Sequence, residues 1–138
     1  MNYWLPKSDP ETYSFADLQR DRSTAWDGVR NYQARNNLAA MKVGDLCLVC
    51  HSGADPAVVG TAEVVKAAYP DPISEDPRWV NIDLEAGEAL VRPGALAALK
   101  KHPLLSQMAI VRQSRLSVSP VIAAEWEAVM GLAGKAKR

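Results

Sequence analysis

Both cysteines of the chain, and one of its two histidines, lie in the run CLVCH at residues 47–51. This C-x-x-C-H spacing attaches haem in c-type cytochromes, and it could also supply a redox dithiol or, with His102, zinc ligands. However, the run is apolar and predicts a β-strand, in which successive side chains point to opposite faces. Cys47 and Cys50 would then face opposite ways, and no second paired motif completes a zinc site. We therefore expect two buried, reduced cysteines that pack as small apolar residues, with no haem, metal or other cofactor.

The composition is that of a single globular domain. The 138 residues are 48% apolar and 23% charged, and 16 basic side chains balance 16 acidic ones. Because the net charge is zero, any anionic partner must meet a local positive cluster rather than an overall field. The N-terminal residues show no basic region followed by an apolar run, and no stretch approaches the roughly 20 apolar residues of a membrane span. We expect a cytoplasmic monomer with no membrane partner.

The hydrophobic pattern and the turn residues predict an α+β fold, with several short strands curled into a small barrel and helices in the connections. Strands are expected to begin at residue 2 and to cover 46–52, 57–69, 78–86 and 114–121, and short helices to cover 15–21, 32–41, 94–103 and 123–132. Ser14 and Asn31 are the expected helix N-caps. Gly60, inside a strand pattern, predicts a bulge or a close backbone approach. Residues 23–30 are expected to form a loop.

Five segments resemble the EVE domain family: Trp4–Leu18, Trp26–Asp45, His51–Gly53, Val58–Pro72 and Met108–Val121. The run WDGVRNYQARNN within the second segment is long and unusual, which makes the resemblance specific. It implies a PUA-like fold, a curled mixed β-barrel of about five to six strands with flanking short helices, related to the YTH readers of methylated adenine. It also implies an EVE domain over residues 1–130 and a pocket suited to a modified base in DNA or RNA. The lysines and arginine at the end of the chain predict a basic tail at 131–138.

The resemblance also explains the cysteine motif. In EVE domains the strand that corresponds to residues 46–51 usually ends in an aromatic pair before His-Ser, and this chain has Val49-Cys50 there. The C-x-x-C-H spacing is then the result of substitution within a strand at the edge of the pocket. The same substitution removes one aromatic wall that the family pattern would supply.

A pocket for a base needs a flat aromatic face and a few fixed polar groups. Trp26, just before an Asp-Gly turn, is the candidate for the face, and a core position is the alternative. Lys7 and Ser8 follow the first strand, where YTH-like folds also carry Lys-Ser beside the ligand. Ser8 would bond the base edge and Lys7 would meet a phosphate. A loop-capping serine and a solvated lysine are the alternatives.

The other candidates are amides, rings and guanidinium groups. Amide side chains offer both a donor and an acceptor to a base edge, a neutral histidine can bond or stack, and two nearby arginines make a local phosphate clamp. Capping, core packing and surface ion pairing are the alternatives for these residues. The ligand candidates are Asn31, Tyr32, Gln33, His51 and Ser52, and the phosphate candidates are Arg35, Arg112 and Arg115.

Together these residues predict a protein that binds a modified nucleobase in DNA or RNA without catalysing a reaction. The sequence pairs no histidine with a nucleophile and has no metal cluster or phosphate-binding glycine loop, so it indicates no enzyme. Two alternatives stay open. One is a small enzyme acting on a modified nucleotide or nucleoside, with His51 as general base oriented by Asp27 or Asp9. The other is an interaction module that has lost its base ligand.

Overall fold

The computed structural model describes residues 1–113 and 115–132, which form one mixed six-stranded sheet flanked by short helices. The strands are β1 (Tyr3–Ser8), β2 (Ser23–Trp26), β3 (Leu46–His51), β4 (Ala57–Pro70), β5 (Val80–Ala95) and β6 (Val118–Val121). The helices are α1 (Phe15–Asp21), α2 (Tyr32–Ala40), α3 (Leu96–Leu99), α4 (Ala109–Arg112) and α5 (Ala123–Leu132), with a 3₁₀ helix at Leu105–Gln107. The strand order is β2-β5-β4-β3-β1-β6, and β1 and β3 are the parallel pair.

The central strands bury both faces, because their side chains alternate between two apolar clusters. Cys47 and Val49 of β3 belong to the cluster under α1 and α2, together with Trp26 and Leu38. Leu48 and Cys50 belong to the opposite cluster, which α3, α4, α5 and the 3₁₀ helix cover. The predicted alternation of the C-x-x-C-H strand is therefore confirmed, and the two thiols point to opposite sides of the sheet.

Helix α1 is held at its N-terminus by three contacts. The Ser14 side chain accepts a hydrogen bond from the Asp17 N–H, and the Asp17 carboxylate accepts one from the Ser14 N–H, which is the predicted capping box. The Phe15 N–H donates to Nε2 of His51 at 2.9 Å. The Phe15 ring lies against the backbone of Gly60, where a Cβ atom would come within 2.3 Å of the ring. These contacts place the helix, and the loop before it, over the centre of the sheet.

A buried carboxylate ties the start of β1 to the turn before β3. Asp45 is 3% exposed and accepts hydrogen bonds from the Asn2 N–H at 3.1 Å, from Nε1 of Trp4 at 2.9 Å and from the Lys42 N–H at 3.0 Å. Burial alone would raise the pKa of this carboxyl, but the three donors outweigh it and hold the pKa below its usual value. Asp45 therefore stays ionised and fixes the register of the parallel pair at its N-terminal end.

Several sequence predictions are confirmed, and others are wrong. Asn31 caps α2, the 46–70 hairpin is present, and β4 shifts register next to Gly60 against both of its neighbours. Residues 23–26, predicted as loop, form β2, because they pair with β5. The predicted strand at 78–86 begins at residue 80 and continues to 95, which shortens the helix predicted at 94–103.

The sheet is curled, but within residues 1–113 and 115–132 it has two edges, β2 and β6, so the predicted barrel is not closed. The predicted basic tail at 131–138 overlaps α5, which ends at Leu132, and residues 133–138 lie outside the described part of the chain. No helix among the described residues is long and apolar enough to cross a membrane.

Substituting alanine at Gly60 tests how tightly α1 is seated. Gly60→Ala should lower the free energy of unfolding by about 1–3 kcal/mol, because the added methyl group overlaps the Phe15 ring. Gly94→Ala is the matched control, since a Cβ atom there meets the Cβ of Val58 at an ordinary 3.7 Å. Urea unfolding of both variants measures the difference, and equal stability of the two would contradict the close approach.

The same contact predicts non-additive behaviour. Truncating the ring in Phe15→Ala makes room for the new methyl group. The double variant should therefore lose less free energy of unfolding than the sum of the losses in the two single variants. Simple additivity in this double-mutant cycle would show that Phe15 and Gly60 do not act on each other.

Candidate nucleobase-binding site

A cavity of about 430 Å³ opens where β1 ends beside β2, and it contains three of the predicted ligand residues. Lys7 and Ser8 come from the end of β1, and Trp26 is the last residue of β2. The cavity is lined by Lys7, Ser8, Asp9, Thr12, Tyr13, Thr24, Ala25, Trp26 and Asp27. Its volume lies within the range of small-molecule sites, about 300–1,000 Å³.

The loop that forms one wall of the cavity is folded onto itself by hydrogen bonds. The N–H groups of Thr12 and Tyr13 both donate to the Asp9 carbonyl, at 3.0 and 2.8 Å. The Ser8 hydroxyl donates to the Tyr13 carbonyl at 2.9 Å. This donation uses the proton of Ser8 and leaves the oxygen lone pairs as acceptors, so Ser8 is a cap of the loop as well as a cavity residue.

Trp26 is both a core residue and a wall of the cavity. Only 7% of its surface is exposed, it belongs to the cluster beneath α1 and α2, and it pairs with Ile82 across β2 and β5. The two readings left open by the sequence, core anchor and cavity wall, therefore apply to the same ring. An indole that is packed on its other sides is held in one orientation, which favours stacking against a flat ligand.

Sequence reasoning missed most of the polar groups in this cavity. Thr12, Tyr13 and Thr24 line it, and Asp9 and Asp27 were considered only as possible partners of His51. The loop residues gave a signal, since they lie between the Lys-Ser pair and the capping box of α1. Nothing in the sequence indicated Thr24, because residues 23–26 were predicted to be a loop rather than a strand that lines the cavity.

His51 and Ser52 lie next to the end of β1 in the sheet, and they are not among the residues that line the cavity. Nε2 of His51 accepts the hydrogen bond from the Phe15 N–H, and the Ser52 N–H donates to the Ser8 carbonyl at 2.8 Å. Burial lowers the pKa of His51, which keeps the ring neutral and able to accept. The arrangement in which Asp27 or Asp9 orients His51 as a general base is not what the structure contains, because Nε2 is already bonded to α1.

A second depression, of about 360 Å³, brings together Asn31, Gln33 and Arg115, with Gln113 and Leu116. The Asn31 side chain also caps α2, since its Oδ1 accepts from the Ala34 N–H at 2.9 Å. Arg112 lies in a different depression, with Gln107, Ala109 and Gln113. The two arginines predicted to form one phosphate clamp therefore open onto separate hollows, and Gln113 is the residue that the two share among those the structure describes.

Tyr32 and Arg35, the remaining candidates, form a surface with residues from the loop before β5. Tyr32 is 50% exposed, and the centroid of its ring lies 5.1 Å from that of Trp79. The Arg35 guanidinium lies 5.9 Å from the centroid of the Tyr32 ring. The core position considered for Tyr32 is therefore wrong, and the ring is available to solvent.

The cysteine thiols are buried and unpaired with each other. Burial raises the pKa of both, that of Cys50 to about 11, so neither is a thiolate at neutral pH. In the described part of the chain, no group of three or more histidine, cysteine or carboxylate side chains is arranged to hold a metal ion.

A curled mixed sheet with a parallel β1–β3 pair, short flanking helices and a cavity at the end of β1 defines a protein of the PUA-like class. The chain belongs to the EVE domain family, whose sequence profile matches residues 2–132. Both the family and the fold that the sequence motifs implied are thus confirmed.

Three relatives illustrate the similarity. Mouse (Mus musculus) thymocyte nuclear protein 1 is 37% identical over 95% of this chain and 73% of its own length. The crystal structure of the human THYN1 protein in complex with DNA containing 5-methylcytosine superposes with a TM-score of 0.89 at 33% identity, covering 99% of this chain and 100% of that one. The YTH domain of the Zygosaccharomyces rouxii MRB1 protein, in complex with N6-methyladenosine RNA, covers 99% of this chain and 88% of its own, with a TM-score of 0.59. At 15% identity that last likeness is one of fold alone.

The role of His51 as an acceptor predicts a pH dependence. Because the folded-state pKa is below the usual histidine value, the unfolded chain binds the proton first, and stability falls as the pH drops below about 6.5. His51→Gln keeps an acceptor for the Phe15 N–H but has no proton to gain. Wild type should therefore lose more stability than His51→Gln between about pH 7.5 and about pH 5.5, as measured by urea unfolding. Parallel curves would show that His51 is not a neutral acceptor.

Proposed function

We propose that this protein binds a modified nucleobase in DNA or RNA, without chemical turnover, in the cavity formed by the ends of β1 and β2. The observation that carries the proposal is the pairing of the fixed Trp26 ring with polar groups of β1 and its loop in one cavity of about 430 Å³. A base is flat and apolar on its faces and polar along its edges, so an aromatic wall with hydrogen-bonding groups around it complements both features.

The polar groups of the cavity suit a base edge. The Ser8 oxygen can accept a hydrogen bond, and the carboxylates of Asp9 and Asp27 accept from exocyclic amino groups, as acidic side chains do with cytosine. One oxygen of Asp9 already accepts from the Glu11 N–H at 2.9 Å, which fixes the orientation of that carboxylate. A base would have to leave its stack to enter the cavity.

The relatives support the same ligand class. The human THYN1 protein, which covers 99% of this chain in the superposition, has been crystallised with DNA containing 5-methylcytosine. Lys7 beside the cavity, and Arg115 and Arg112 in their hollows, would supply the phosphate contacts that a neutral protein needs. The absence of turnover belongs to the proposal, and it agrees with the use of His51 Nε2 in holding α1.

Two variants of Trp26 separate its core role from its role in binding. Trp26→Leu and Trp26→Phe both keep an apolar side chain, but only phenylalanine keeps a ring. Trp26→Leu should weaken binding of an oligonucleotide that carries one 5-methylcytosine or one N6-methyladenosine by about fivefold to over a hundredfold, the value of one stacked base. Trp26→Phe should lose less.

Binding is measured by titration well below the melting temperature, so that both variants are folded. Recovery of the oligonucleotide unchanged after incubation tests the absence of turnover, and a converted base would contradict it. Wild-type affinity in folded Trp26→Leu would remove Trp26 from the site.

Single substitutions of the two arginines separate their contributions. Arg115→Gln should reduce the slope of log affinity against log salt by about one counterion, because Arg115 shares its depression with Asn31 and Gln33. Arg112→Gln is the matched comparison from the neighbouring hollow. A slope unchanged by either variant would show that the corresponding guanidinium does not meet a phosphate.

A further inference from the structure

Two aromatic rings and three arginines lie together on the protein surface, near the start of α2 and in the loop before β5. We call this set, Arg30, Tyr32, Arg35, Arg78 and Trp79, the Tyr32 surface. The guanidinium carbon of Arg30 lies 5.6 Å from the centroid of the Trp79 ring. Those of Arg35 and Arg78 lie 5.9 and 5.7 Å from the centroid of the Tyr32 ring. Guanidinium groups at these distances over aromatic faces are cation–π pairs.

Two of the three guanidinium groups of this surface form ion pairs. Arg30 pairs with Asp71 at 2.9 Å and Arg78 pairs with Asp76 at 2.7 Å, which leaves the charge of Arg35 unbalanced. Arg35 makes no ion pair with any other described residue, and its buried Nε has no hydrogen-bond partner. A guanidinium group without a carboxylate partner can balance the charge of a bound phosphate.

The rings are held in place but only partly covered. Asp71 is 3% exposed, accepts from the Ile73 N–H at 2.9 Å as well as from Arg30, and so anchors the loop that carries Trp79. The residue Tyr32 is nevertheless 50% exposed to solvent. An exposed ring that is flanked by guanidinium groups and supported from behind is the arrangement on which proteins stack bases of single-stranded nucleic acid.

Resting on the function proposed above, we propose that the Tyr32 surface binds a nucleotide next to the base in the cavity, with its base stacked on Tyr32 and a phosphate at Arg35. The two sites are close, because Tyr32 lies only five positions after Asp27 of the cavity, a span of at most about 18 Å. A base can stack on a protein ring only when it is not stacked in a duplex. The preferred partner is therefore a strand that is unpaired on one side of the modified base.

The test uses unmodified strands, so that it does not depend on the cavity. The probes are a fluorescent oligothymidylate of about twelve nucleotides, the oligouridylate of the same length, and the duplex of the first with oligoadenylate. Tyr32→Leu removes the ring, and Tyr32→Phe keeps it as the matched control. Tyr32→Leu should weaken binding of the single strands about fivefold or more, while Tyr32→Phe stays near wild type.

Two further readouts would not respond to a merely structural role. Arg35→Gln should lower the salt dependence of single-strand binding by about one counterion. Binding should also quench tryptophan emission, and Trp79→Phe should remove that part of the quenching. Comparison of the oligouridylate with an oligodeoxyuridylate of the same length, which differs from it only in the 2′-hydroxyl group, identifies the preferred sugar.

Unchanged affinity in folded Tyr32→Leu, or duplex binding as tight as single-strand binding in wild type, would overturn the proposal. The proposal that the cavity binds a modified base is tested by a different measurement. Equal affinity of the wild type for modified and unmodified oligonucleotides would contradict it. The two proposals can therefore fail separately.

Discussion

The Phe15 ring lies on the backbone of Gly60, and this contact decides where α1 sits on the sheet. The N–H of the same residue is bonded to His51 at the end of β3, so the first turn of α1 is fixed to two neighbouring strands. The loop at residues 9–13 precedes that turn directly, and it forms the wall of the cavity that faces Trp26. A strand glycine with no side chain is thus a condition for the cavity to have its shape, because any Cβ atom there would lift the helix and its loop.

The same strand pairing explains a motif that suggests quite different chemistry. Cys47 and Cys50 belong to different cores on the two sides of β3, and burial keeps both thiols protonated. Their spacing is a property of a strand that is buried on both faces, where small apolar residues are interchangeable with others of similar volume. His51, the third member of the motif, contributes through one ring nitrogen to the placement of α1. In a turn, the C-x-x-C-H spacing indicates haem attachment or a redox dithiol. In a strand that is buried on both faces, the same spacing indicates only core packing.

The parts of the fold that depend on local chemistry could be predicted from the sequence, and those that depend on distant partners could not. Ser14 and Asn31 were recognisable as caps because their hydrogen bonds stay within one helical turn. Strand β2 was missed because four residues carry little pattern, and only pairing with β5 makes them a strand. Strand β5 was predicted too short because Gly87 and Gly94 suggest breaks, although the register shifts of this pair accommodate them.

For the site, residue types indicated Lys7, Ser8 and Trp26 correctly as neighbours, whereas the bond between His51 and Phe15 joins residues 36 positions apart and left no trace in the sequence. The segment from Asp27 to Tyr32 has a consequence of its own, because so little of it is free to move. Gly28 adopts a φ of +74°, Val29 is buried, Arg30 is tied to Asp71, and Asn31 is committed to its cap. Its ordering entropy is lost when the protein folds, so a ligand that touches both ends does not lose it again on binding. The segment therefore holds its two ends at a fixed distance. A nucleic-acid strand whose contacts do not match that distance must change its own conformation to bind, because the protein segment does not move.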